Sequence, residues 1–196
     1  MDKLINTHYT GSNAANYNSR SSNKKWIFEQ NIVEDFIMNN TDVESVIDAP
    51  LGTNRFNAVL QRASHIKVVD GYEYSDDMIN EALKEISSKL NVHKWNLVTD
   101  PIEKKGDLSL IIRMLNLFPE KEALSILENI LVATEKYCIL TLRCWDKKPS
   151  LEQNKIHVQN EAVFIKAIEA AGFKVIDSRI ADTKVVGDYK VMTLAK

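Results

Sequence analysis

The 196-residue chain has two cysteines, four histidines, six glycines and four prolines, and each scarcity excludes something. Cys138 and Cys144 fall in or beside one apolar stretch. Six residues of strand would hold them roughly 20 Å apart, well beyond bridging distance. Both are expected to be reduced thiols, which points to a cytoplasmic protein. The histidines at 8, 65, 93 and 157 make no metal motif with these cysteines, so no metal is expected. No apolar run approaches the roughly 18 residues of a transmembrane helix. The N-terminus, M-D-K-L-I-N-T-H, lacks the apolar core of a secretory signal. A net charge of −2 gives no general attraction to nucleic acid, and no membrane partner is expected. Glycine-rich phosphate cradles are missing as well. No G-x-x-x-x-G-K-[ST] run occurs, and the G-x-G-x-x-G dinucleotide fingerprint fails because positions 50, 52 and 55 hold Pro, Gly and Arg.

What remains is an ordinary globular composition, 44% hydrophobic and 27% charged, long enough for a single α/β domain over residues 1–196. Its most informative stretch is Val46 to Phe56, V-I-D-A-P-L-G-T-N-R-F. Val46 and Ile47 suit a buried strand, Pro50 and Gly52 punctuate a turn, and a helical pattern begins at Asn54 and continues from Phe56 to Arg62. Nucleotide-like ligands sit at such a turn, at the carboxyl end of the strand.

The turn resembles motif I of class I S-adenosylmethionine-dependent methyltransferases, D/E-x-G-x-G-x-G. Asp48 matches the acidic residue and Gly52 the central glycine, while Pro50 and Asn54 replace the outer two. Asn enters the left-handed region at small cost, proline fixes its own φ, and a cofactor without phosphate needs fewer backbone donors. D-A-P-L-G-T-N-R looks like the D-x-P-C-G-T-G-R variant of that group. Downstream, His65 to Val69 reads as a second strand. Gly71, Glu73, Ser75, Met78 and Ala82 match the family's G-x-D-x-S-x-x-M-x-x-x-A, with Glu for Asp. Gly52 and Glu73 are 21 residues apart, close to the roughly 20 expected between neighbouring strands. Ser75 is placed to cap the following helix, Asp77 to Leu90, with a stripe of Met78, Ile79, Leu83, Ile86 and Leu90. A third strand is expected near 95–98, and a fourth from Leu108 to Ile112 after Gly106-Asp107. R-M-L-N-L-F-P resembles the family's x-x-L-x-H-x-P, with Leu117 where His is common.

The remaining pattern follows the same order. A helix is expected from Trp26 to Met38, capped by Ser22 or Asn23, and another from Pro119 to Thr134. A strand follows from Tyr137 to Trp145, then a polar loop from Asp146 to His157, then a helix from Glu161 to Ala171 with Gly172 at its C′ position. Strands 173–180 and 189–194 have no helix between them and must pair antiparallel. The resemblance therefore implies a three-layer, Rossmann-like α/β sandwich. Its sheet would be seven-stranded and mostly parallel, with an antiparallel C-terminal strand.

The resemblance also implies a cofactor, S-adenosylmethionine, and the residues that hold it. Asp48, Ala49, Pro50, Gly52, Asn54, Arg55 and Phe56 come from the turn. Glu73 would accept the ribose hydroxyls, with Tyr74 and Met78 beside it. Asp100, at an ordinary D-P turn, would meet the adenine amino group next to Pro101, and Arg113 and Met114 complete the set. Residues 1–40 would form a lid segment and helix, since A-x-x-Y-x-x-R followed by K-W-x-x-E resembles the lid of small-molecule methyltransferases; a flexible tail is the alternative. Acceptor contacts are expected from Tyr9, Tyr17 and Arg20 in the lid and from Arg143, Trp145 and His157 after strand five. Arg143 is equally readable as a surface charge, His157 as a loop histidine and Trp26 as a packing residue.

The implied activity is in-line methyl transfer to a small-molecule acceptor, with positioning rather than a dedicated acid or base supplying the rate. No catalytic acid or base is named. The N/D-P-P-Y/F and Pro-Cys motifs of nucleic-acid base methylation are absent. The alternatives are a cofactor-binding regulatory protein and another, non-methylating enzyme on the same fold. The sequence leaves the acceptor and the oligomeric state open.

Overall fold

A computed structural model describes residues 9–85, 87–145, 151–153, 156–182 and 187–196. The chain divides into two compact units, Met1–Asp100 and Pro101–Lys196.

The first unit opens with a short helix α1 (Ser12–Ala15) and a 3-10 turn (Tyr17–Ser22), then α2 (Lys24–Asn39). The Asn23 side chain accepts the Lys25 N–H at 2.9 Å and starts α2, so of the two expected caps it is Asn23 rather than Ser22. Trp26, Glu29, Ile32, Val33 and Ile37 are buried at helical spacing along one stripe. Three parallel strands follow in the order β3-β2-β1: β1 (Ser45–Asp48), β2 (Val68–Glu73) and β3 (Leu90–Lys94). Val46, Ile47 and Asp48 are all buried, as in a strand covered on both faces. Helix α3 (Asn57–Arg62) joins β1 to β2, and α4 (Asp76–Ala82) follows β2. The Lys89 ammonium donates to the carbonyls of Leu60, Gln61 and Ala63 at 3.0, 3.1 and 2.8 Å, satisfying the open end of α3.

Three expected boundaries move. Strand two runs to Glu73 rather than stopping at Val69, because the polar residues Asp70, Gly71 and Glu73 still pair with both neighbours' ladders or with β3. The helix expected to reach Leu90 ends at Ala82 and tightens into a 3-10 turn, Leu83–Glu85. There the Asn54 and Asn57 side chains both donate to the Glu85 carbonyl, which fixes the chain outside the helical ladder. Ile86, expected in the stripe, lies outside the described residues. Strand three consequently begins at Leu90, and 96–100 is a turn in which the Asn96 carbonyl accepts the Thr99 and Asp100 N–H groups.

The second unit holds β4 (Gly106–Ile111), a 3-10 turn (Leu115–Leu117), α5 (Glu120–Ala133), β5 (Thr134–Trp145), β6 (Leu151–Gln153), β7 (Ile156–Asn160), α6 (Glu161–Ala170), β8 (Lys174–Asp182) and β9 (Asp188–Ala195). Every residue of β4 is buried, and β4 runs parallel to β5. Helix α5 buries Ala123, Ile126, Leu127, Ile130 and Leu131 at i, i+3 and i+4 spacing. β9 is antiparallel to both β5 and β8, as expected for the C-terminal strands. Asn160 caps α6 through the Ala162 N–H at 3.1 Å, and Gly172 takes φ 84 beyond its end.

The described residues hold nine strands rather than seven. The excess lies in the expected polar loop. β6 and β7 form a hairpin there, and β7 runs parallel to the end of β5 through Cys144–Gln159 and Trp145–Asn160. Residues 146–150, 154 and 155 of that stretch lie outside the described residues. β7 is half-buried, and its buried polar residue Gln159 is satisfied by donating to the carbonyls of Leu115 and Phe118 at 3.0 and 2.9 Å.

Candidate functional site

The site begins where β1 ends. Asp48 is its last residue, and the turn after it contains a cis Ala49–Pro50 bond. Gly52 and Asn54 take φ 59 and 62, so Asn54 performs the left-handed role of the glycine it replaces. The Leu51 N–H donates to the Tyr72 carbonyl at 2.9 Å, laying the turn beside β2. A Cβ at Gly71 would meet Leu51 Cδ1 and Cδ2 at 2.8 Å, so the matched glycine of strand two makes room for the turn's apolar residue.

Glu73, the last residue of β2, joins the two elements. Its Oε2 accepts the Gly52 N–H at 2.9 Å, and its Oε1 accepts the N–H groups of Tyr74 and Ser75, both at 2.9 Å. Burial raises its pKa, opposed by those three backbone donors and by Lys94. Burial pushes the Asp48 carboxyl well above the usual carboxylate range, opposed by Arg55 and reinforced by Glu73. Asp48 is 2% exposed, and its Oδ2 has no hydrogen-bond partner among the described residues. Met78 is buried against the turn, its Cε 3.6 Å from where a Gly52 Cβ would stand.

The N-terminal segment is tied to this turn and to the start of α4. Ser75 Oγ donates to the Tyr9 carbonyl at 2.6 Å while accepting the Met78 N–H at 3.3 Å as the cap of α4. The Gly11 N–H donates to Asp77 Oδ2 at 2.8 Å, and the Thr53 hydroxyl donates to Asn18 Oδ1. Tyr9 and Tyr17 stand 6.1 Å apart, Tyr17 and Trp26 5.5 Å, and the Arg55 guanidinium lies 4.0 Å over the Trp26 ring. Arg55 also bonds Glu29 Oε2 at 2.6 Å, Gln30 Oε1 at 3.3 Å and the Trp26 carbonyl. It is thus committed to α2, as the buried Trp26 is to packing. Phe56 is buried beneath the same guanidinium. The Arg20 side chain and residues 1–8 lie outside the described residues.

Of the other expected contacts in this unit, Tyr74 is half-buried with the Lys94 ammonium 5.4 Å from its ring. Asp100 is exposed. Its carboxylate accepts the Asn96 N–H at 2.9 Å and the Thr99 hydroxyl at 2.8 Å, which hold its pKa low.

In the second unit, Pro101 is exposed and Met114 buried. Arg113 takes φ 59, and its N–H donates to Thr141 Oγ1 at 2.6 Å. Arg143 is 5% exposed, donates to the Gly187 carbonyl at 3.1 Å and lies 5.2 Å from the Tyr189 ring centre, which removes the surface-charge alternative. Trp145 ends β5 opposite Asn160, and His157 sits half-buried in β7, not in a loop.

Sequence reasoning missed Asn18, Thr53 and the double role of Ser75. It also missed a polar pair on β2 and β3, in which His93 Nε2 lies 2.7 Å from Asp70 Oδ1 with Tyr72 stacked 4.7 Å from the imidazole. Asp70 faces Asn91 in the register of β2 with β3 and reaches His93 across the diagonal, a contact with no local signal in the sequence. No group of three or more potential metal ligands occurs among the described residues. No described helix is long and apolar enough to cross a membrane.

No protein-family model and no curated protein matches the chain. Solved structures do. Magnesium protoporphyrin IX methyltransferase from Synechocystis PCC 6803, with S-adenosylmethionine bound, matches 99% of this chain and 96% of its own at TM-score 0.77 and 12% identity. The 1,6-didemethyltoxoflavin-N1-methyltransferase of Burkholderia thailandensis matches 93% of this chain and 86% of its own at TM-score 0.64 and 14% identity. An O-methyltransferase family protein from the same organism matches 94% of this chain and 59% of its own at TM-score 0.70 and 14% identity. The chain has the Rossmann-like α/β fold of class I S-adenosylmethionine-dependent methyltransferases, mostly parallel with antiparallel C-terminal strands.

Proposed function

We propose that this protein is an S-adenosylmethionine-dependent methyltransferase acting on a small-molecule acceptor. The observation that carries the reading is the Gly52 N–H on the Glu73 carboxylate, which brings the motif I turn and the strand-two acid together at the carboxyl ends of two adjacent parallel strands. The residues fit such a cofactor. The buried, unpartnered Oδ2 of Asp48 leaves an acceptor for a ligand at the turn, and a turn with few free backbone donors suits a ligand without phosphate. When bound, S-adenosylmethionine supplies an electrophilic methyl group.

In this reading Glu73 holds the ribose hydroxyls. A carboxylate has about four acceptor positions, and backbone donors use three of them here, so ribose must share with or displace the Gly52 N–H. Met78 and Tyr74 flank the same carboxylate, and Asp100 would accept the adenine amino group. The N-terminal segment, anchored through Tyr9 and Asn18, would shield the site from water. Roles for Ala49, Pro50, Pro101, Arg113 and Met114 toward the cofactor, and for Tyr17, Arg143, Trp145 and His157 toward the acceptor, are proposed from the resemblance. A small acceptor is supported by neighbours whose names carry a porphyrin and a toxoflavin precursor.

A regulatory protein that binds the cofactor without transfer is the second reading, favoured by Leu117 standing where the family often has His. Calorimetry with S-adenosylmethionine, S-adenosylhomocysteine and NAD tests the cofactor assignment. Binding of NAD with neither of the other two at millimolar concentration rejects it. Incubation of the labelled-methyl cofactor with extracted small molecules, followed by mass spectrometry, separates transfer from binding alone.

A further inference from the structure

Strand β8 is paired with β9 along one edge and, among the described residues, with no strand along the other. An open edge is a template for another chain, and proteins usually guard it with charge, proline or bulges. The ladder to β9 slips between Val175 and Asp177 and again between Ile180 and Asp182, leaving Asp177–Ile180 as a regular central segment. Ile176 and Ile180 nevertheless stand 56% and 49% exposed, and the charges between them are exposed too.

Those charges are arranged symmetrically. In an antiparallel pairing of two β8 strands centred on Ser178, Asp177 faces Arg179, Ile176 faces Ile180, Val175 faces Ala181 and Ser178 faces itself. Moving the centre one residue toward the N-terminus sets Asp177 against Asp177. Moving it one residue the other way sets Arg179 against Arg179. A parallel in-register pairing sets every charge against its like. Opposite charges directly across a ladder stabilise and like charges destabilise, so of these pairings the one centred on Ser178 is favoured, setting Asp177 of each copy against Arg179 of the other. Such an arrangement suits a two-fold, self-complementary interface.

We infer that β8 is a homodimer interface in which two copies of this chain pair antiparallel about Ser178 and join their sheets. The occupant is a second copy because the charge order of the strand complements itself. The pairing adds edge hydrogen bonds and covers Ile176 and Ile180 of each copy with Ile180 and Ile176 of the other. The regular segment is short, so the dimer is weak and concentration-dependent, at the low end of interface sizes. The inference does not rest on the cofactor reading.

Sedimentation of the full chain, without ligand, tests it. The expected result is a monomer of 22.3 kDa at low concentration passing to a dimer by about 100 µM, as a dissociation constant in the micromolar range requires. Asp177→Arg and Arg179→Asp, each creating two like-charge pairs, should weaken association at least about tenfold. The double swap should restore it. Ser178→Cys should give a disulfide-linked dimer on mild oxidation, since residue 178 lies on the symmetry axis. Arg179→Cys should not, because its copies sit on a diagonal of roughly 7–8 Å or more. The native Cys138 and Cys144 are buried, and burial pushes the Cys144 thiol up to about 12, so neither competes. A wild-type monomer throughout, or single and double charge variants that associate alike, overturns the inference. So does Arg179→Cys linking as readily as Ser178→Cys.

Discussion

The Glu73 carboxylate accepts the Gly52 N–H at 2.9 Å, and with it the N–H groups of Tyr74 and Ser75. One side chain therefore closes the β1 turn onto the tip of β2 and caps the chain leaving that strand. This makes it a structural clamp before any ligand arrives. Glu73→Ala leaves backbone donors without their acceptor, at about 1–3 kcal/mol for a buried unsatisfied group. Ligand-free melting should show that loss, and calorimetry should show affinity for S-adenosylmethionine falling by at least about tenfold, since each charge-assisted bond is worth about 1.5–3 kcal/mol. A variant with unchanged affinity would place the ribose elsewhere.

Asp48 gives a pH-dependent signature. Its folded pKa is raised, chiefly by burial, so the folded state holds its proton more tightly than the unfolded chain does. The native state then binds more protons in the window between the two values, and stability falls as pH rises through that window. The ionised form is the destabilised one. Asp48→Asn should raise the ligand-free melting temperature by about 2–4 °C at pH 7.5, and the difference should shrink as the pH falls toward about 4, where both forms are neutral. Melting curves from pH 4 to 8 check this. A variant less stable than wild type at pH 7.5 would mean that attraction to Arg55 outweighs burial.

The Arg55–Glu29 pair fixes α2 to the turn, with side chains 9% and 0% exposed. Removing one partner strands a buried charge, at about 3–5 kcal/mol, whereas replacing both with apolar residues is often near neutral. Arg55→Met should therefore be much less stable than Arg55→Met combined with Glu29→Met. Denaturant melts of the two single variants and the double form the cycle. Equal losses in the Arg55 single and the double variant would show that packing over Trp26, not charge burial, is what Arg55 contributes.

The elements that sequence reasoning read well are those whose cause is local. Val46-Ile47 announces a strand covered on both faces, Asn23, Ser75 and Gly172 mark helix ends, and Asn54 was chemically suited to the left-handed turn it makes. The misreadings share a different cause. The helix after Ser75 is cut short by Asn54 and Asn57 reaching the Glu85 carbonyl from far along the chain. The loop expected to run to His157 gives way to β7 at Ile156, a strand whose buried Gln159 is satisfied by two carbonyls of a distant turn. The same holds at the site. The Glu73 position was readable from spacing, but its three backbone donors, and the commitment of Arg55 to α2, exist only once strands and helices are packed.

The N-terminal segment gives the remaining prediction. Tyr9 reaches Ser75 at the start of α4, Asn18 reaches Thr53 in the turn, and Tyr17 bridges Tyr9 to Trp26. Most side chains described between residues 9 and 22 are exposed, so the segment should open at a small fraction of the global unfolding free energy. Ligand held beneath it should suppress that opening. Deleting residues 1–20 should leave α2 and both units folded, because the cap Asn23 and the Arg55–Glu29 pair remain, while weakening S-adenosylmethionine and abolishing most turnover. Hydrogen exchange of residues 9–22, with and without S-adenosylhomocysteine, is the direct measurement. Slower exchange with ligand is expected. Equal exchange in both states, with full affinity in the truncated protein, would reduce the segment to a strap that holds the turn and leaves the ligand untouched.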